Sequence, residues 1–151
     1  MVTVKIIDDA PVISNAELDE LENRLGFKFP EDLRRHYLRS NGGRPVPNLF
    51  LKDDEYFTVN EFLPIKYGAP GTRFEDTYRD LVQGNELFPK NLLPIASDSA
   101  GDYFCYSLEQ RKFGAICFYQ SDYYDDPLRA VVYLAISLET FISSLISDES
   151  E

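Results

Sequence analysis

Nine consecutive residues concentrate the side chains best suited to gripping another molecule. They are Tyr119-Gln120-Ser121-Asp122-Tyr123-Tyr124-Asp125-Asp126-Pro127, with three tyrosines and three aspartates among them. Tyrosine offers a large contact area at low entropic cost and keeps a hydroxyl for hydrogen bonding. Neighbouring carboxylates pair with Arg or Lys of a partner and speed encounter. The competing reading is a solvated acidic loop whose rings pack on a sheet; the binding reading is favoured because the whole chain shares the sign of this charge. A second candidate is Asp98-Ser99-Ala100-Gly101-Asp102. Asp98 and Asp102 are oxygen donors of the kind that hold hard cations, but their spacing fits no EF-hand loop, and Asp, Ser and Gly are ordinary turn residues. Paired carboxylates also cleave glycosides, yet two turn aspartates do not make a cleft. The turn is the preferred reading.

Other reactive side chains are sparse. His36, the single histidine, lies on a basic stretch between Arg35 and Tyr37 and reads as a packing or surface residue. Cys105 and Cys117 fall on opposite arms of one expected hairpin. They read as buried thiols, bridged only if the strand register sets them opposite each other. Two cysteines and one histidine do not supply the four ligands zinc takes. Glycine-rich phosphate loops and serine elbow motifs are absent from the sequence. The expectation is therefore a protein with no catalytic residues, no metal and no cofactor. Its contact set is Tyr119, Asp122, Tyr123, Tyr124, Asp125 and Asp126, with Asp98 and Asp102 beside them.

The elements that position these residues can be read along the chain. Ser14 and Glu17 have capping-box spacing, Leu18, Leu21 and Leu25 recur at helical intervals, and Gly26 follows as a stop. Pro30, Glu31 and Asp32 open a second helix that Asn41-Gly42-Gly43 ends. Residues 14 to 43 thus predict a helical hairpin. Val46–Leu51 and Tyr56–Leu63 predict two strands around Lys52-Asp53-Asp54-Glu55, whose acids join the same face if the fold brings them there. Thr72 and Glu75 repeat the capping-box spacing ahead of Phe74, Tyr78 and Leu81, predicting a helix that ends near Gly84. Further strands are expected at Leu92–Ala96, Tyr103–Leu108, Ala115–Tyr119 and Val131–Leu134, and a closing helix over Ser137–Ile146. Helices do not alternate with strands, so the class is α+β rather than a parallel βαβ fold.

With 151 residues, 44% of them hydrophobic, the chain supports one domain with a sizeable core. The expected division is a domain over 1–147 and an acidic tail over 148–151. A net charge of −11 repels nucleic-acid phosphates and anionic membranes and attracts a basic protein. The sequence contains no run of roughly 20 apolar residues, its first residues lack a cleavable leader pattern, and its cysteines are too few for a disulfide framework. A cytoplasmic protein that binds neither nucleic acid nor membrane is expected; its oligomeric state is left open.

Three segments together carry a family resemblance. The first runs from Leu18 to Gly43 and includes Glu20-Leu21-Glu22, Leu25-Gly26-Phe27-Lys28-Phe29-Pro30-Glu31-Asp32-Leu33 and Ser40-Asn41-Gly42-Gly43. The second runs from Leu93-Pro94-Ile95-Ala96-Ser97-Asp98 through Gly101-Asp102-Tyr103-Phe104-Cys105-Tyr106, and the third is Ile136 to Leu145. Their order and extent resemble the SUKH superfamily, related to fungal cell-wall assembly regulators. The resemblance implies a curved, mainly antiparallel sheet with an N-terminal helical hairpin, a middle helix and a C-terminal helix packed against it. It implies that Pro30, Asn41, Gly42, Gly43, Pro94, Gly101 and Asp102 are mainly structural. It also implies a role, because bacterial members are mostly non-catalytic immunity proteins for secreted toxins, many of them nucleases. The expected function is neutralisation of a cognate basic toxin domain, a nuclease, by occluding its active site. The alternative is a non-catalytic regulatory scaffold of the cell-wall assembly regulator type.

Overall fold

The structure is a computed structural model and describes residues 3–147; the tail expected over 148–151 lies outside the described residues. The chain begins with β1 (Lys5–Ile7), then α1 (Asn15–Leu25) and α2 (Glu31–Arg39). Ser14 caps α1 in the expected box: its Oγ accepts from Glu17 N–H at 3.2 Å, and Glu17 Oε1 accepts from Ser14 N–H at 2.9 Å. Gly26 ends the helix at φ 79°. After α2 the chain turns sharply at Gly42 and Gly43, with φ of 78° and 99°. Side chains are excluded there twice over. A Cβ on Gly42 would stand 2.9 Å from Pro64, and one on Gly43 would stand 2.6 Å from Ile6. Buried Asn41 makes the corner rigid. Its Nδ2 donates to the carbonyls of Pro11 and Lys66, and its Oδ1 accepts from Ile65 N–H at 2.7 Å.

The expected strand over Val46–Leu51 is two strands. β2 (Arg44–Val46) pairs with β1, and β3 (Leu49–Lys52) pairs with β4 (Glu55–Phe62), Pro47 and Asn48 lying between them. Asp53 and Asp54, at φ 51° and 67°, form the two-residue turn between β3 and β4. Two consecutive positive φ values match the right-handed twist of the hairpin, and Asp tolerates them.

The middle helix starts one residue later than its spacing predicts, and differently. Thr72 Oγ1 donates back to Ala69 C=O, and it is Asp76 that accepts from the N–H groups of Gly71 and Arg73. Glu75 instead pairs with Arg24 and Arg79. One α-turn, α3 (Phe74–Thr77), continues as a π-helical segment over Tyr78–Gln83. The wider winding brings Val82, rather than Leu81, to the fully buried side.

The remaining strands are β5 (Leu92–Asp98), β6 (Tyr103–Ser107), β7 (Ile116–Tyr119) and β8 (Val131–Ala135); the short α4 (Pro127–Ala130) precedes β8 and α5 (Leu138–Ser143) follows it. The main sheet is antiparallel in the order β3-β4-β5-β6-β7-β8, curved and nearly closed. The fold is α+β, as expected. Alternation along β6 and β7 sorts residues to two faces. Phe104 and Phe118 pack at inclined angles against Phe57 and Phe141, so α5 covers their face, and Tyr106 reaches Asp32 of α2 from the same side. Tyr103, Cys105, Cys117 and Tyr119 point the other way, where Phe88 packs on Tyr119 at 4.7 Å. A second aromatic group, Phe27, Phe29, Tyr37, Phe74 and Tyr78, holds the helical hairpin to α3. The closing helix is shorter than predicted, because Ile146 leaves it to exchange backbone hydrogen bonds with Leu49 at 3.1 and 2.8 Å. Among the described residues, no helix is long and apolar enough to cross a membrane.

Candidate functional site at the acidic end of the sheet

The turn between β5 and β6 is built by Asp98. Its Oδ1 accepts from the N–H groups of Ala100 (3.0 Å) and Asp102 (2.7 Å), while Asp98 N–H donates to Asp102 C=O at 2.9 Å. These bonds are those of an Asx turn. Asp102 faces outward from the turn and tethers the tyrosine–aspartate loop, its Oδ1 accepting from Ser121 Oγ at 2.6 Å and from Ser121 N–H at 3.2 Å. The two sequence candidates, bonded through residues 19 positions apart, are thus one structural unit. The carboxylates of Asp98 and Asp102 serve backbone and serine donors, and among the described residues no group of three His, Cys, Asp or Glu stands ready for a metal ion.

The loop itself is short and ordered by its own backbone. A 3₁₀ turn over Ser121–Tyr123 is followed by Asp126, whose carbonyl accepts from the N–H groups of Arg129 and Ala130 and so opens α4 at Pro127. The tyrosines separate by depth. Tyr119 is a core residue at 4% exposure, packed on Phe88, with its hydroxyl buried and unpartnered. Burial pushes that hydroxyl's pKa up, with lesser contributions from Cys105 and Asp102. Its inclusion in the expected contact set is corrected: as the last residue of β7, it points into the covered face of the sheet. Tyr123 is half-buried beneath the Arg129 guanidinium, 4.0 Å from its ring centre. Tyr124 is 52% exposed and is the free aromatic of the loop. Asp122 and Asp125 are exposed and Asp126 is half-buried.

Strand register adds residues that sequence reasoning could not place. β4 pairs Val59 with Asp98, so its first residues run past the β5–β6 turn. The β3–β4 turn, with Asp53, Asp54, Glu55 and the exposed Tyr56, therefore sits at the same end of the sheet as Asp98, Asp102 and the loop after β7. Among the described residues, none of these carboxylates takes part in a salt bridge. Several acids elsewhere are paired. Glu22, buried against α2, accepts from Phe29 N–H and faces Arg34, and Glu17 meets Lys66 at 2.8 Å. Lys66 and the capping N–H together hold the Glu17 carboxyl down at about 2. Carboxylates without a salt bridge also lie elsewhere, Glu61, Asp80 and Glu86 among them, but the two hairpin turns and the loop after β7 set Asp53, Asp54, Glu55, Asp98, Asp102, Asp122, Asp125 and Asp126 at one end of the sheet.

The remaining reactive groups are enclosed. Cys105 and Cys117 do stand opposite each other across β6 and β7, yet both are free and buried thiols. The bond from Ser107 N–H to Ala115 C=O puts 105 and 117 in the hydrogen-bonded phase of the ladder, where facing side chains stand further apart than in the alternate phase. Burial raises both pKa values, that of Cys117 to about 12. Depressions of about 600, 610 and 500 Å³ indent the surface, and none has Asp98 or Asp102 in its lining.

The fold is thus an α+β domain whose β3–β4 turn, β5–β6 turn and β7–β8 connection set a group of carboxylates at one end of a curved antiparallel sheet. The sequence model of the SMI1 / KNR4 family (SUKH-1) matches residues 12–144, and the chain belongs to that family. It is also similar to the "SPbeta prophage-derived uncharacterized protein YokK" of Bacillus subtilis (strain 168), 24% identical over 156 residues that cover 91% of this chain and 77% of that protein.

Proposed function

We propose that the chain is an immunity protein that binds a basic secreted toxin, a nuclease domain, and occludes its active site, acting in the cytoplasm without catalysis. The supporting observation is the convergence of two hairpin turns and the β7–β8 connection into one unpaired acidic end that also carries Tyr56 and Tyr124. SUKH domains are generally non-catalytic immunity or regulatory proteins, which agrees with this reading. Such an end imitates the phosphates that a nuclease grips. Unpaired rim carboxylates accelerate encounter, while affinity comes from desolvated aromatic anchors.

The test is co-expression with the C-terminal domain encoded by the neighbouring gene, scored by growth rescue and co-purification. Rescue with a 1:1 complex supports the reading; no rescue and no complex overturns it in favour of a regulatory scaffold. Within the complex, Tyr124→Ala is expected to weaken binding by about 30-fold, or ~2 kcal/mol. Asp126→Asn, at a residue whose backbone opens α4, should weaken it by less than about fivefold. The association rate should fall steeply between low and physiological salt. Titration calorimetry and stopped-flow mixing read these effects, and normal affinity of the Tyr124 variant would remove the loop from the interface.

A further inference from the structure

The main sheet has two margins, and they differ. At β3 the margin is occupied by Ile146, which both donates to and accepts from Leu49. At β8 the phase of the ladder can be read from one bond. Gln120 N–H donates to Ala130 C=O at 2.7 Å, so 120 and 130 form a hydrogen-bonded pair. The register continues as Tyr119↔Val131, Phe118↔Val132 and Cys117↔Tyr133. Alternation then directs the backbone groups of Val132 toward β7 and those of Val131 and Tyr133 away from it. Among the described residues, nothing bonds to the outward N–H and C=O groups of Val131 and Tyr133. Proteins usually protect such an edge with charge or proline, and Val131-Val132-Tyr133-Leu134-Ala135 contains neither.

The side chains beside this edge are mixed. Val131 and Tyr133 line a groove of about 500 Å³ with Pro89, Leu92, Pro127 and Leu128 on its apolar side and Lys90, Asn91 and Glu109 on its polar side; Tyr133 Oη donates to Glu109 at 3.2 Å and Lys112 Nζ stands 5.0 Å from the Tyr133 ring centre. Leu128 is 94% exposed. A strand added to β8 would pair directly with Val131 and Tyr133, and its residues opposite them would share their face and enter this groove.

We infer that β8 is a docking edge for an extended strand of a basic protein, which completes the ladder at Val131 and Tyr133 and sets an aliphatic side chain beside Leu128. The inference rests on the toxin-binding reading for the charge of the partner. In the segment just before the edge, three carboxylates, Asp122, Asp125 and Asp126, outnumber the single cation Arg129, and none of the three forms a salt bridge among the described residues. A second copy of the chain fits worse. Antiparallel self-pairing places the start of one strand beside the end of the other, bringing Asp126 toward Glu139 between two molecules of net charge −11.

The test uses ¹⁵N-labelled full-length protein and a synthetic peptide, Lys-Val-Lys-Val-Lys-Val-Lys. Saturable shifts centred on Val131 and Tyr133 are expected, with exchange of those two amides slowed about tenfold or more. A peptide of the same sequence N-methylated at alternate residues keeps charge and side chains but loses donors, and should bind at least about tenfold more weakly. Leu128→Asp should weaken binding by a similar factor, although its added carboxylate favours a Lys-rich peptide. Val12→Asp, at a distant position of 73% exposure, should leave binding unchanged. Absence of saturable binding at millimolar peptide, shifts centred elsewhere, equal binding of the methylated peptide, or protection of the same amides by self-association all overturn the inference. Because no toxin enters this assay, its failure with growth rescue intact removes the edge and leaves the toxin-binding reading. Failure of rescue with peptide binding intact removes that reading and leaves the edge.

Discussion

His36 shows what a single residue type leaves open. On the sequence it sits on a basic stretch and reads as a packing or surface residue; the fold decides for packing, burying it 4.8 Å from the Phe62 ring with Nε2 unpartnered. Burial, reinforced by Arg39, pushes it down from 6.5 to about 4. A depressed folded pKa means the unfolded chain binds the proton more readily. The associated stability is complete above pH 6.5 and is lost as the pH falls toward 4. His36→Phe should therefore flatten the stability profile across that window. Wild type should lose on the order of 2 kcal/mol more than the variant between pH 7.5 and 4.5. Urea midpoints at the two pH values measure it, and parallel losses would refute the assignment. Asn41 is the opposite case. It was legible as a helix stop, but its bonds to Pro11, Ile65 and Lys66 span segments that only the fold brings together.

Among the elements, β6 and β7 carry a check of their own. Because Cys105 and Cys117 are both buried with raised pKa values, iodoacetamide at pH 8 should label neither thiol in the native protein over an hour, and both in guanidinium. Mass spectrometry reads the result, and rapid native labelling would place them outside the core. The same strands explain what sequence reasoning could reach. α1, α2 and the β5–β7 strands follow from local signals: a capping box, apolar periodicity and alternation. The Thr72–Glu75 box failed because Glu75 has stronger partners in Arg24 and Arg79, and Ser/Thr-x-x-Glu spacing carries no information about distant arginines. The closing helix failed at Leu145 and Ile146 because a strand pairing nearly a hundred residues away in sequence competes for them. The candidate site divides the same way. Its contiguous loop was visible, whereas Tyr119's inward direction, the contribution of Asp53 and Asp54, and the open side of β8 all depend on sheet order.

For the molecule as a whole, the unbridged carboxylates placed together at this end of the sheet have a stability cost as well as a use. The triple substitution Asp53→Asn, Asp122→Asn and Asp125→Asn should raise the melting temperature by about 2–4 °C at low ionic strength, with the gain shrinking in 0.5 M salt. The same variant should associate more slowly with a basic partner. Scanning calorimetry at two salt concentrations tests the first effect, and no gain at low salt would show that the carboxylates do not repel one another appreciably. The exchange between Leu49 and Ile146 has a further consequence. A chain cut after Ser144 would have two bare flanks instead of one, facing opposite ways around a nearly closed sheet. Copies could then join head to tail without a terminating partner, with only their shared negative charge to oppose fibre growth. Ile146 thus acts as a stopper on the β3 flank of the sheet.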